Sequence, residues 1–473
     1  MGTRREAFIR LALVAAVLAC AVGLVMGVYA PRGEPLQQPG WAGLGTTLPA
    51  DVLYRVSLAL PEAGLGRWPR AGVWWARQLA LVQYEWLAYS LGPTAAFACA
   101  KLALIYGRDG DRDQAAAMLS EIPRLAPELV RATVLLNWLY GTGSKPHDIS
   151  TALEDLQAMF EPWFVLQCRA DLARLEGRGR EAESLRLAAR KNGRLFLRGL
   201  GAVAAVWLAL VLAGLAALVF WFARWFLTPK PLIPVVQAPL LRPWRPLEAF
   251  EAWAFLLLAV VLVRAGAQLL LARGELPAAV RAIGDVVAYL SASALAVAAM
   301  ARALRGQQPR PAVLLGLVPL RVSGLALGAL AYGVFVAVVG LASVAVSVLF
   351  GPGLSVGVVA QGLPAAPVRE PAAAAIYAGL AVLLAPVLEE TIFRGFVYPG
   401  LRRRLPPVLA MFASALMFSV THVGLPLPAL VGLTLLAVGL AFAFERTRNL
   451  YVPIGMHITH NALVFALMLL AAL

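Results

Sequence analysis

The chain has 473 residues, of which 60% are apolar and only 14% charged, with a formal net charge of +15. Its mean hydropathy is +0.75. Soluble domains hold roughly 45–50% apolar and about 25% charged residues, so the composition excludes a wholly soluble chain and points to lipid around much of it. The Arg and Lys excess sits in short runs beside apolar stretches, as in topology-setting loops, so no nucleic-acid partner is expected.

The first predicted element is an apolar run from Phe8 to Ala30, preceded by Arg4, Arg5 and Arg10. It is long enough to span a bilayer. Residues 1–30 therefore read as an uncleaved membrane anchor, with a cleaved signal peptide ending near Val28-Tyr29-Ala30 as the alternative. Residues 31–196 mix charges of both signs and hold no run that could span. They read as a soluble helical domain. Tyr106-Gly107, Tyr140-Gly141 and Glu176-Gly177 each end an apolar helix and precede a second amphipathic one. That spacing fits helix-pair repeats of tetratricopeptide type, and an irregular helical bundle fits it as well.

Apolar runs resume after residue 197. Residues 197–320 supply additional membrane helices, near 199–223, 250–272 and 279–302. Residues 321–473 supply a last membrane domain, with spans near 323–350, 373–396, 407–424, 427–444 and 451–472. The expected fold is thus all-α: a polytopic bundle of eight or nine spans with an inserted soluble, tetratricopeptide-like helical domain. A cytoplasmic N-terminus puts Arg224, Arg242, Arg245, Arg302, Arg305, Arg310, Arg402, Arg403, Arg404, Arg446 and Arg448 inside, in accord with the positive-inside bias. The helical domain then lies outside. The cluster Arg190, Lys191, Arg194 and Arg198 runs against the bias, which long translocated domains tolerate. A bacterial inner membrane is the expected location, since the chain is Ala- and Arg-rich and carries no eukaryotic targeting signal.

Three polar patches interrupt the last spans, where ionisable groups cost roughly 2.5–3.5 kcal/mol each and usually face the bundle interior with a role. The first is Glu389-Glu390-Thr391-Ile392-Phe393-Arg394. Glu390 and Arg394 lie four apart on one helical face, while Glu389 is rotated about 100° from Glu390. One carboxylate can pair with the guanidinium and leave the other free to take a proton. The second patch is Phe418 with His422, again four apart. The third is His457-Ile458-Thr459-His460-Asn461. Three of the chain's four histidines fall in these last two patches; the fourth is His147.

A carboxylate, imidazoles and an amide suit hydrolysis: the first two polarise a water, and the others donate to the oxyanion that forms. No serine or cysteine carries a nucleophile motif. The three cysteines, Cys20, Cys99 and Cys168, form no CxxC. A divalent metal such as zinc on Glu389, His422 and His457 is a rival arrangement, although no HExxH is present.

EExxxR, FxxxH and HxxxN on successive membrane helices, with Phe393-Arg394-Gly395 beside the first, resemble the CPBP family of intramembrane proteases. That family includes CAAX prenyl endopeptidases and Abi-like relatives linked to bacteriocin processing and immunity. The resemblance covers about residues 320–472. It implies that Glu389 activates the water with His422, that Glu390 and Arg394 give support, and that His457 and Asn461 form the oxyanion site. It implies either a metal-free glutamate mechanism, with no cofactor required, or a metalloprotease. The extra His460 has no counterpart in the pattern. The expected partners are the bilayer, a protein or peptide substrate, and a protein bound by the helical domain. Two other functions fit the same residues: a non-catalytic membrane scaffold or immunity protein of this fold, and a proton-coupled transporter.

Overall fold

The computed structural model describes residues 44–59, 68–88, 93–227, 244–271, 276–317, 323–350, 370–422 and 427–472. All regular structure among them is helical. The predicted anchor at 8–30 lies outside the described residues. Contacts divide the chain into two units, one within Arg32–Ala204 and one built from Ala205–Val359 and Glu370–Phe465, while Ala466–Leu473 groups with the first.

The first unit contains α1 (Leu44–Ala59), α2 (Trp68–Ala88), α3 (Pro93–Asp109), α4 (Arg112–Leu125), α5 (Val130–Tyr140), α6 (Ile149–Met159) and α7 (Pro162–Leu175), followed by the start of α8 (Gly179–Leu227). Its punctuation is readable in the chain. Gly110 adopts φ +91° between α3 and α4, a conformation that glycine tolerates without strain. Asp111 then caps α4 by accepting from the Gln114 amide. Asp148 caps α6 through Thr151, and hydrogen bonds from the Thr151 side chain, its amide and Ser150 pull the Asp148 carboxyl down to about 2. Gly107 on α3 lies against Tyr140 of α5, where an added Cβ would sit 2.5 Å from the Tyr140 Cβ. Consecutive helix–turn–helix pairs follow along 93–125, 130–159 and 162 onward.

The core of this unit encloses charge. Lys101 is buried, with Nζ 2.8 Å from Asp51 and 2.7 Å from Glu161. Tyr84 donates to Asp51 at 2.5 Å. Burial pushes the Glu161 carboxyl up to about 7 against the pull of Lys101. Breaking one member of such a group strands the others without solvent.

The second unit contains the rest of α8, then α9 (Pro246–Leu271), α10 (Ala278–Leu304), α11 (Ser323–Phe350), α12 (Pro371–Arg402), α13 (Pro407–Val420), α14 (Leu427–Thr447) and, as far as Phe465, α15 (Tyr451–Ala472). Seven helices are long and apolar enough to cross a membrane among the described residues. Two of the expected spans differ in extent from the helices found there. The expected span at 199–223 is the second half of one 49-residue helix, α8, about 73 Å long at 1.5 Å per residue. The expected span at 407–424 is α13, only 14 residues. At about 21 Å it is short of the roughly 30 Å hydrocarbon core. Pro406 precedes its first turn and Thr421-His422 leave the helix.

Lipid-facing character is plain on α8, where Val206, Trp207, Leu208, Leu212, Val219 and Phe220 are exposed. Soluble proteins rarely expose so continuous an apolar surface. Inside the unit, small residues let backbones meet, as expected where lipid gives helices no hydrophobic drive to associate. Gly328 of α11 and Gly455 of α15 cross so closely that a Cβ on Gly455 would lie 2.3 Å from the Leu325 carbonyl oxygen. Near one end of α12 and α14, Glu445 receives Tyr398, Arg402 and Arg448.

Candidate active site

The site is built on α12, α13 and α15. Helix α12 is not uniformly α-helical. Gly379–Leu384 and Thr391–Val397 are π-helical turns on either side of Ala385–Glu390. Wide turns of this kind recur at functional sites. Here the first has a local cause. The Ala385 amide bonds back to the Leu380 carbonyl, which shifts the register by one. The Ala381 carbonyl would then need the amide of residue 386, and Pro386 has none. The Asn461 side chain of α15 fills that vacancy, its Nδ2 donating to the Ala381 oxygen at 2.7 Å.

The two adjacent glutamates differ sharply. Glu390 is fully buried. Its Oε1 accepts from Arg394 Nη1 at 2.9 Å and lies 2.8 Å from His457 Nδ1. Arg394 is also fully buried and donates from Nη2 to the Ala437 carbonyl at 2.9 Å. A buried guanidinium requires its counter-charge, so Glu390 is a carboxylate and can only accept. His457 Nδ1 therefore carries the proton. In the neutral ring Nε2 is left as the open nitrogen, and it lies 3.9 Å from Glu389 Oε2.

Glu389 retains 15% side-chain exposure. Among the described residues it takes one hydrogen bond, from Tyr289 of α10 to Oε1 at 3.1 Å. One carboxylate is thus locked in an ion pair, and its neighbour keeps an oxygen available beside an imidazole nitrogen.

Phe418 of α13 is the hub of the packing. Its ring lies 5.1 Å from Phe393, 4.8 Å from His422 and 6.0 Å from His457 between centroids, and the Arg394 guanidinium carbon is 4.8 Å above it. His422 is half-buried, with Nδ1 3.0 Å from the Phe418 carbonyl. That carbonyl can only accept, so Nδ1 carries the proton and Nε2 is open. Among the described residues His422 forms no hydrogen bond with either glutamate. His460 leaves this cluster and meets Tyr332 of α11, Nδ1 to hydroxyl 3.2 Å.

The structure therefore brings Glu389, Glu390, Arg394 and His457 into direct contact and joins His422 to them through Phe418. Asn461 attaches to α12 one π-turn before the glutamates. The imidazole next to Glu389 is His457, whereas the sequence reading paired Glu389 with His422. Tyr289 was missed. The available signal was the set Arg281, Asp285, Tyr289 and Ser293 in an otherwise apolar span, spaced by four so that each lies beside the next on the helix.

Among the described residues no three His, Cys, Asp or Glu side chains group so as to hold a metal ion.

Residues 371–463 match the family model described as type II CAAX prenyl endopeptidase Rce1-like. The match begins with the first residue of α12 and ends inside α15, so it spans Glu389, Glu390, Arg394, Phe418, His422, His457 and Asn461 but not Tyr289. Neither a curated protein nor a solved structure matches the chain.

Proposed function

Taking as premise the Rce1-like endopeptidase domain at residues 371–463, we propose that this integral membrane protein hydrolyses a peptide bond of a membrane-presented polypeptide with a glutamate-activated water. The observation that carries the reading is the asymmetry of the two glutamates: Glu390 is consumed by Arg394 and His457, while Glu389 keeps exposure and, among the described residues, an unbonded oxygen 3.9 Å from His457 Nε2.

In this reading Glu389 is the general base. It takes a proton from a water held near Oε2 and His457 Nε2, and the water oxygen attacks the scissile carbonyl carbon. The charge that develops on the carbonyl oxygen is met by N–H donors: the second amide hydrogen of Asn461, and His457 when it is protonated. Donors aimed at developing charge in a dry site are the largest catalytic term in many hydrolases. Collapse breaks the C–N bond, and Glu389 returns its proton to the leaving amine. His422 contributes its open Nε2 to the same water. Glu390 fixes the His457 tautomer and stabilises its imidazolium, and Arg394 holds Glu390 in place. No step is routed through a metal.

The helical domain within residues 31–196 is proposed to select or present the substrate, with the cell membrane of a bacterium as the setting and the N-terminus in the cytoplasm. The test is Glu389→Gln. Under this reading it lowers the cleavage rate by about 10²–10⁴ in a protein that still folds; cleavage at the wild-type rate ends the proposal, and a function that survives the loss of cleavage favours a scaffold.

A further inference from the structure

Helix α10 lies wholly outside the Rce1-like segment, yet it presents a polar file to α12. Arg281, Asp285, Tyr289 and Ser293 recur every four residues, so each lies beside the next in a row that winds slowly round the helix. Tyr377 of α12 donates to Asp285. Tyr289 donates to Glu389 Oε1 at 3.1 Å. Ser293 is buried one turn further on. Beyond Ser293 the same face turns apolar: Ala296, Met300 and Leu304 belong to the core cluster that includes Ile392 and Phe393. Along this row the polarity of α10 is therefore confined to the stretch opposite the first half of α12 and Glu389, and the charge at its far end, Arg302, pairs with Glu251 of α9. Polar groups at membrane depth are retained where they have a partner and a task.

The task follows from the geometry of a carboxylate. The terminal torsion of a glutamate is broad and roughly two-fold, so an unrestrained Glu389 would present either oxygen in many orientations. Tyr289 ties down Oε1. With that oxygen fixed, Oε2 is the one left near His457 Nε2. The phenol cannot serve as the base, because it is spent as the donor in this bond.

We propose that Tyr289 is a positioning residue for the hydrolytic reaction: it orients Glu389 so that one carboxylate oxygen faces His457 and the attacking water. The α10 helix is thereby part of the active site although it precedes the Rce1-like segment. This inference rests on the function proposed above, and the experiment separates the two.

Tyr289→Phe keeps the ring and removes only the hydroxyl. The full-length protein is assayed in proteoliposomes with a quenched fluorogenic membrane peptide selected for cleavage by the wild type. The proposal predicts that kcat falls about tenfold to a hundredfold, less than the roughly 10²–10³ lost with a direct oxyanion donor, while KM and thermal stability stay at wild-type values. Adding Tyr289→Phe to Glu389→Gln costs nothing further, because the hydroxyl acts through that carboxylate. Wild-type kcat in Tyr289→Phe overturns the positioning role alone, provided Glu389→Gln is slowed. A loss carried by KM, or one that tracks a fall in stability, also overturns it. If the wild type cleaves no peptide, or Glu389→Gln cleaves at the wild-type rate, it is the hydrolase reading that fails.

Discussion

Replacing each of the adjacent glutamates by glutamine separates structure from chemistry. Glu390→Gln preserves shape and a carbonyl oxygen that can still accept from His457 Nδ1. What it removes is the charge, and Arg394, fully buried, has Glu390 as its ion-pair partner at 2.9 Å. Leaving a buried charge uncompensated costs about 3–5 kcal/mol. The lower part of that range applies here, because the Ala437 carbonyl still receives Arg394 Nη2. Glu389→Gln meets different surroundings. Its side chain is 15% exposed and its hydrogen bond comes from a neutral phenol that an amide oxygen also accepts, so its effect on stability should stay within about 0.5 kcal/mol. Its effect on rate should be about 10²–10⁴, the usual contribution of a general base. The assay is unfolding of the purified protein in detergent alongside peptide cleavage. Combining Glu390→Gln with Arg394→Met removes both charges and should recover most of the lost stability. If the two single variants destabilise equally, or Glu390→Gln is neutral, the division of labour between the carboxylates is wrong.

Two further outcomes follow from other parts of the structure. Asn461→Leu strands the Ala381 carbonyl that Pro386 leaves without an amide, and should lower thermal stability by about 1–3 kcal/mol; no change would mean that the π-turn needs no brace. In the helical domain, the Glu161 carboxyl is raised by burial to about 7 from 4.5. A carboxyl raised on folding binds more protons in the folded state, so its contribution is complete below about 4.5 and is lost as pH rises through about 7. Stability of the domain, followed by hydrogen exchange of α3 in the full protein, should fall across that window, and Glu161→Gln should flatten the slope.

Much of the site was legible because its partners lie four residues apart on one helix. The Glu390–Arg394 ion pair and the Phe418–His422 contact follow from helical spacing alone. The all-helical, membrane-embedded character followed from composition, which no soluble core could accommodate. What sequence could not supply were the contacts made across helices. Glu390 and His457 are 67 residues apart, and Tyr289 and Glu389 are 100 apart. No spacing rule connects such residues. Nor did the pattern reveal that Asn461 serves the α12 backbone: that depends on a one-residue register shift set by the Ala385 amide and made consequential by Pro386. The length of α13 was overread because apolar residues continue past Val420, while the helix stops where the Thr421 and His422 side chains turn to the Phe418 carbonyl.

The most direct measurement is a comparison of new protein termini in membranes of cells that make the wild type and cells that make Glu389→Gln, each at equal level. The account predicts a set of cleavage products present with the wild type and missing with the variant, at bonds within or beside membrane segments. Identical terminal profiles from the two cell lines, with both proteins folded in the membrane, would contradict it.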